Sequence, residues 1–380
     1  MPELLPFHAT RFVDDDPALV CAPPYDVISP EQREAFAALD PHNIVHVTLP
    51  SKTADGVPDY SGAGRLWQDW ISQGVLREDS DESLFLYSAE FQDGSVLRTV
   101  AGIIGCIELS AFGEGGVHPH EKTRPGPKQD RLELMKATSA NLEPLWFLSS
   151  QPLTGISQAI ALAAGLPPLA DVTDAQGVRH RIWRVDDQIG ALPKVPDGDL
   201  VVADGHHRYE TSITYRDLRR AQDGSGGWDQ TLALVMDPIE LAPVLLPIHR
   251  IASVTPEQVA RVADLSPITA DIHELASIVA DRGPGTVGLV HATGAWTFAS
   301  KPLDTTFLAE QVIAPLGAEV EYEHDPDQVA KAVSQGSSAF ILAPITTEEV
   351  TKSAVNGLRM PPKTTLFWPK PLSGPVMRQL

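Results

Sequence analysis

A chain of 380 residues, 43% hydrophobic and 21% charged, has an ordinary globular composition, with apolar material for a large core or two. Fifty acids against 29 bases give a formal net charge of -21 and a pI of about 4.9, which repels nucleic-acid phosphates and argues against a general DNA or RNA binder. Cys21 and Cys106 stand in no metal-ligand spacing, the start MPELLPFHATRF lacks a signal pattern, and no segment approaches membrane-spanning length, so a reducing cytoplasm is the expected compartment.

In chain order, CAPPYDVISPEQREAFAAL reads as a rigid loop and then a helix capped by Ser29, with Pro30 in its first position. NIVHVTL reads as a strand. GAGRLWQDWISQGVL reads as an amphipathic helix with Leu66, Trp67, Trp70 and Ile71 on one face. SLFLYSAEF and VLRTVAGIIGCIEL predict two strands around the turn QDGS. Residues 110 to 131, SAFGEGGVHPHEKTRPGPKQDR, are too polar for core and too long for an idle connection. A helix follows at DRLELMKATSAN, then strands at PLWFLSS, HRIWRV and DLVVAD, and DQTLALVMDP with APVLLPIHR reads as another strand pair. From about residue 252 helices and strands alternate as a C-terminal α+β layer. The expected division is therefore 1–251 and 252–380. Leu366, Phe367 and Trp368 in the tail need burial, and packing of the tail back on the site is one expectation.

The stretch that carries chemistry is LVVADGHHRYETSITYRDLRR, residues 200 to 220. A strand delivers the chain to Gly205, which permits a tight turn or close approach by a ligand. The following helix opens with unpaired N–H groups and a positive dipole end, which favour an anion. His206, His207 and Arg208 add side-chain donors. Asp204 beside a phosphate makes sense if Mg²⁺ bridges the two. The plainer reading is a helix capped by Asp204 with its histidines satisfied locally; five polar residues in a row at a strand-to-helix corner favour the phosphate cradle.

Phosphoryl transfer to a hydroxyl needs a carboxylate for the proton and cations for the transferring group. Glu121 is the candidate base, counted with Asp204 and His207 as catalytic. Arg124, Lys128, Arg131 and Lys136 are candidate clamps for phosphate or carboxylate. In APPYDVIS two prolines fix the backbone ahead of Tyr25 and Asp26, and Asp26 either holds the ammonium of an amino-acid substrate or caps a turn. In the tail, Lys363, Thr364 and Lys370 are placed to close over phosphates; YEHD, 322 to 325, reads as structural.

ADGHHRYE resembles the signature of the ParB/sulfiredoxin superfamily, in which a Gly-(Cys/His/Glu)-(His/Arg)-Arg run opens a helix that binds nucleotide phosphates. Its DGHHR form looks most like that of the ADP- or ATP-dependent free-serine kinases of that superfamily. Over nearly its whole length the chain resembles a bacterial and archaeal domain-of-unknown-function family, number ten-fifteen, in the blocks APPYDVIS, HEKTRPGPKQDRLELMKAT, RIWRV, ADGHHRYE, YEHD and MPPKTTLFWPK. The resemblance implies an α+β fold of mixed sheets with a ParB/sulfiredoxin-like nucleotide-binding core, a nucleotide (ADP or ATP) or pyrophosphate as donor, and free L-serine as acceptor. Two other readings stand beside it. A nucleotide-binding or hydrolysing switch of ParB type uses the same cradle, but the low pI and the lack of an evident helix-turn-helix count against it. A metal-dependent hydrolase would be built on His118, His120, His206 and His207. The expected partner is a small-molecule substrate, with nucleic acid and membrane argued against and a homodimer left open.

Overall fold

The structure, a computed structural model, describes residues 2–121, 126–186, 189, 198–300, 304–361 and 363–380. It divides into two compact units. The first runs to Pro243 and includes Ala354–Gly357 and Pro369–Leu380; the second is Val244–Ser353 with Leu358–Trp368. The division thus falls earlier than the expected 251/252, and the reason is strand pairing. Val244–Leu246 pairs with Leu366–Trp368, and His249–Ala252 lies within the second unit's sheet. DQTLALVMDP and APVLLPIHR are therefore not a strand pair. Residues 369–380 belong to the first unit, where Arg378 and Gln379 pair with Asn141 and Ala140.

The first unit is built on a mixed eight-stranded sheet. In chain order its strands are β1 (Phe85–Asp93), β2 (Val96–Glu108), β3 (Val117–Pro119), β4 (Leu145–Ser149), β5 (Ala170–Thr173), β6 (Arg179–Arg184), β7 (Leu200–Asp204) and β8 (Gln230–Met236). Their spatial order is β3-β7-β4-β8-β2-β1-β6-β5. β3 and β7 are parallel, as are β4 and β8; the remaining neighbours are antiparallel. Ile103, Phe147, Val202, Tyr209 and Val235 share one buried cluster. The polar segment after β2 thus contributes an edge strand, β3, beside the strand that carries the motif.

Five helices matter here: α1 (Pro30–Leu39), α2 (Tyr60–Ser72), α3 (Gly126–Thr138), α4 (Ile156–Ala163) and α5 (His206–Asp223). α1 starts where expected, with the Ser29 hydroxyl accepting from Gln32 N and the Gln32 side chain accepting from Ser29 N. α2 buries Trp67 and Trp70 against Ile44, Val45 and Val47. NIVHVTL is a buried helical turn, Val45–Thr48, not a strand. The Asn43 side chain accepts from Val45 N, and the Thr48 hydroxyl donates to Ile44 O, closing the turn despite its β-branched residues. α3 packs between α2 and α5.

The second unit is a six-stranded antiparallel sheet: β9 (His249–Ala252), β10 (Ser266–Ile268), β11 (Thr286–His291), β12 (Gly294–Ala299), β13 (Val320–Glu323) and β14 (Ser338–Ile341), in the order β10-β12-β11-β14-β9-β13. Alternation along β11 sends Val287 and Leu289 into one cluster and Val290 into another. Among the described residues no helix is long and apolar enough to cross a membrane. Both cysteines are free and buried.

Candidate functional site

The corner at residues 200–208 is set by two backbone events. Along β7, Val202 pairs with Phe147 and Asp204 with Trp146, so Ala203 is an extra residue, a bulge. Leu200 and Val202 point into the core cluster, and strict alternation would carry Asp204 there too. The bulge turns its carboxylate out of that face. Gly205 then takes φ +91°, ψ 27°, left-handed backbone. A Cβ there would stand 2.8 Å from Leu145 Cδ2 and 3.0 Å from Arg208 Nη2, so both conformation and space require glycine. The 18-residue helix α5 begins at this glycine, with no side-chain cap and no acid in its first turn.

Around that helix start lies a cluster of charges from distant parts of the chain. Arg208 Nη2 donates to Asp204 Oδ2 at 2.8 Å; its Nη1 lies 3.2 Å from Glu143 Oε1 and 3.2 Å from Pro144 O. Lys370 Nζ donates to Asp204 Oδ1 and sits 5.9 Å over the Trp146 ring. Glu143 also accepts from the Ser373 hydroxyl at 2.6 Å. The side chains of Asp204, Arg208, Glu143 and Lys370 are only 15, 11, 9 and 10% exposed, so these pairs act in a desolvated setting. Asp26, in a single helical turn at Tyr25–Val27, is the exposed member of the group.

Their environments drive the two aspartates apart. Burial pushes Asp204 up, but Lys370 and Arg208 overcome it and hold the carboxyl far below the usual range. Crowding by protein and the charge of Asp204 push Asp26 up, against the pull of Lys370 and Arg208. Burial would lower Arg208, but Glu143, Asp204 and Asp26 keep it charged. Tyr25, pushed up to about 12 mainly by burial, lies under the Arg131 guanidinium, 3.9 Å from Cζ to the ring centre.

Several expected contacts turn out otherwise. Arg208, expected to grip phosphate, contacts Glu143, Asp204 and Pro144 O. His206 is buried, and its Nε2 accepts from His120 N at 3.3 Å. The His120 ring meets it edge-on at 4.6 Å, with Nδ1 2.6 Å from Val202 O. Burial keeps both rings neutral, His120 down to about 4 and His206 well below its ordinary value. His118 faces Asp199 at 3.5 Å, and the four motif and loop histidines form no three-ligand group among the described residues. His207 is half-buried in the first turn of α5, and Glu121 half-buried just after His120. Lys128 pairs with Glu210 at 2.7 Å, Arg131 with Asp130 and Thr48 O, and Lys136 with Glu133 at 3.0 Å. Arg124 lies outside the described residues. Lys363 and Thr364 belong to the second unit, where Lys363 O accepts from Arg250 and the Thr364 hydroxyl donates to Pro361 O.

A Mg²⁺ ion on Asp204 does not fit this donor set. Each carboxylate oxygen already holds a cationic side chain, and an ion would have to displace one of them. Sequence reasoning missed Glu143 and Ser373. The one signal was a lone acid in the apolar run NLEPLW. A cavity of about 50 Å³ adjoins Arg208, Glu143 and Arg131; at roughly 10–15 Å³ per water it takes a few waters and no nucleotide.

A family model described as "Protein of unknown function (DUF1015)" matches residues 4–318. No curated protein matches the chain. Among solved structures, a free serine kinase mutant in complex with AMP is 15% identical, with 70% of this chain and 86% of that chain covered and a TM-score of 0.41. A conserved hypothetical protein from Pyrococcus furiosus is 15% identical over 72% of this chain and 93% of that chain, TM-score 0.39. SbnI with a C-terminal truncation, from Staphylococcus aureus, is 12% identical over 72% and 81%, TM-score 0.38.

Proposed function

The chain belongs to the DUF1015 family, and from the corner at Gly205 we propose that it is a phosphotransferase which moves a phosphoryl group from ADP, ATP or pyrophosphate to the hydroxyl of a small amino acid, free L-serine in the first instance. One observation carries the reading. The exposed carboxylate of Asp26 interacts with the buried cations Lys370 and Arg208 at the uncapped start of a long helix. The donor phosphates rest on the first turn of α5, in a ParB/sulfiredoxin-like core, where N–H groups and the dipole favour negative charge. Lys370, with three N–H donors, adds a cation that is already desolvated. Arg208 keeps Asp204 and Glu143 in place.

In the reaction the acceptor oxygen attacks the terminal phosphorus. The bond from phosphorus to the bridging oxygen breaks, and the leaving phosphate keeps the electron pair beside the helix start. Asp26 takes the hydroxyl proton. A raised pKa makes it a stronger base than an ordinary aspartate, whereas the depressed Asp204 is a poor one. Glu121 is the second candidate for that proton. The serine assignment rests on the resemblance of DGHHR to the free-serine kinases.

The test is phosphoserine formation from ADP, ATP and pyrophosphate. Asp26→Asn is expected to lower the rate by roughly 10²–10⁴-fold while nucleotide binding survives. Glu121→Gln, measured in parallel, shows which carboxylate is the base. A wild-type protein that makes no phosphoserine from any donor overturns the serine-kinase reading.

A further inference from the structure

We propose that the second unit carries a binding site of its own, for a small amphiphile with a primary ammonium group. The unit encloses a cavity of about 430 Å³, within the roughly 300–1,000 Å³ range of small-molecule sites. Ile248, Leu342 and Met360 give it an apolar lining. Of the charged residues on that lining, Asp304 is the buried one, 6% exposed. Its Oδ1 accepts from Gly285 N at 2.8 Å and from the Ser300 hydroxyl at 2.5 Å, which fixes the carboxylate in place. Its Oδ2 has no hydrogen-bond partner among the described residues. That oxygen lines the cavity with only water to serve it, and a ligand that supplies a cationic donor replaces the water with a charge-assisted contact.

The other charges on the lining do not compete for this role. Lys352 and Arg359 each have partners already, and Glu349 is held by Thr346 N and the Thr346 hydroxyl. A metal ion is disfavoured, because Asp304 joins no three-ligand group among the described residues. Water could reach Oδ2, but it would leave the apolar wall wet. An alkyl or aryl body with a terminal ammonium satisfies both surfaces at once. The protein's net charge of -21 raises the local concentration of such a cation. This site uses no residue of the corner at Gly205 and stands independently of the phosphotransferase reading.

The probes are hexylammonium, hexanol and hexanoate, titrated into the full chain with detection by the methyl resonances of Ile248, Leu342 and Met360. A charge-assisted contact predicts that hexylammonium binds about tenfold or more tighter than hexanol, with hexanoate weakest. Asp304→Asn keeps the Oδ1 acceptor and the shape but removes the charge, so the preference for hexylammonium disappears. Equal affinities for the three probes, no shift at the lining methyls, or a preference that survives in Asp304→Asn overturns the proposal. Should the variant fail to fold, the wild-type ranking of the three probes decides alone.

Discussion

Replacing Arg208 by methionine keeps most of the stem and deletes the guanidinium. Glu143 and Asp204 then lose their shared cation in a setting where each is 15% exposed or less. Breaking a buried pair from one side costs about 3–5 kcal/mol. Two features place this site at the low end: Asp204 keeps Lys370, and Glu143 keeps the Ser373 hydroxyl, with a water-sized cavity alongside to rehydrate it. We expect a loss of about 3 kcal/mol, or about 6–12 °C in the melting temperature of a unit this size. The assay is thermal and urea unfolding of Arg208→Met, Glu143→Gln and the double variant. Glu143→Gln removes the stranded charge, so the double variant should recover part of the loss. Arg208→Met within about 0.5 kcal/mol of wild type, the span of an ordinary surface substitution, would refute the reasoning and return Arg208 to the set of free phosphate donors.

Gly205→Ala should cost about 2 kcal/mol or more, from left-handed backbone strain plus contact with Leu145 and Arg208, and should show in the same unfolding assay. The two aspartates predict opposite stability profiles with pH. Asp204 is depressed in the fold, so its contribution is present above its unfolded value of about 3.9 and is lost as pH falls toward the folded value; Asp204→Asn should be destabilised at pH 7 and converge on wild type in acid. Asp26 is raised in the fold, so it costs stability once pH exceeds the unfolded value; Asp26→Asn should be more stable than wild type at pH 7, with the gain gone below about pH 4 in urea titrations.

What was legible in the sequence was local. Ser29, Pro30 and Gln32 define a helix start with bonds spanning three residues, and the fold has that helix there. The apolar spacing of Trp67 and Trp70 likewise needs only the helical period. The corner at Gly205 could be read because strand, glycine and helix follow one another directly. NIVHVTL could not, because strand preference in β-branched residues reflects packing on a sheet, and here the neighbours are α2 and a capping Asn43. The unit boundary escaped because the partner of Val244–Leu246 lies at Leu366–Trp368, far along the chain. The charge cluster escaped for the same reason: Lys370 meets Asp204 from 166 residues away, and Ser373 meets Glu143 from 230. Side-chain chemistry names candidates, but only the fold decides which cations are already taken.

That last point reorders the roles within the motif. The sequence offers Glu121 as base, Asp204 as a catalytic acid and metal ligand, His206 and Arg208 as phosphate donors, and Asp26 as a substrate clamp or turn cap. In the fold, Asp204 is held ionised by two cations, His206 is neutral and buried, and Arg208 is shared between two acids. The carboxylate left with an elevated pKa and a path to solvent is Asp26. In the phosphotransferase proposed above, two carboxylates whose surroundings separate their pKa values would divide the work: one stays ionised to hold cations, the other exchanges protons.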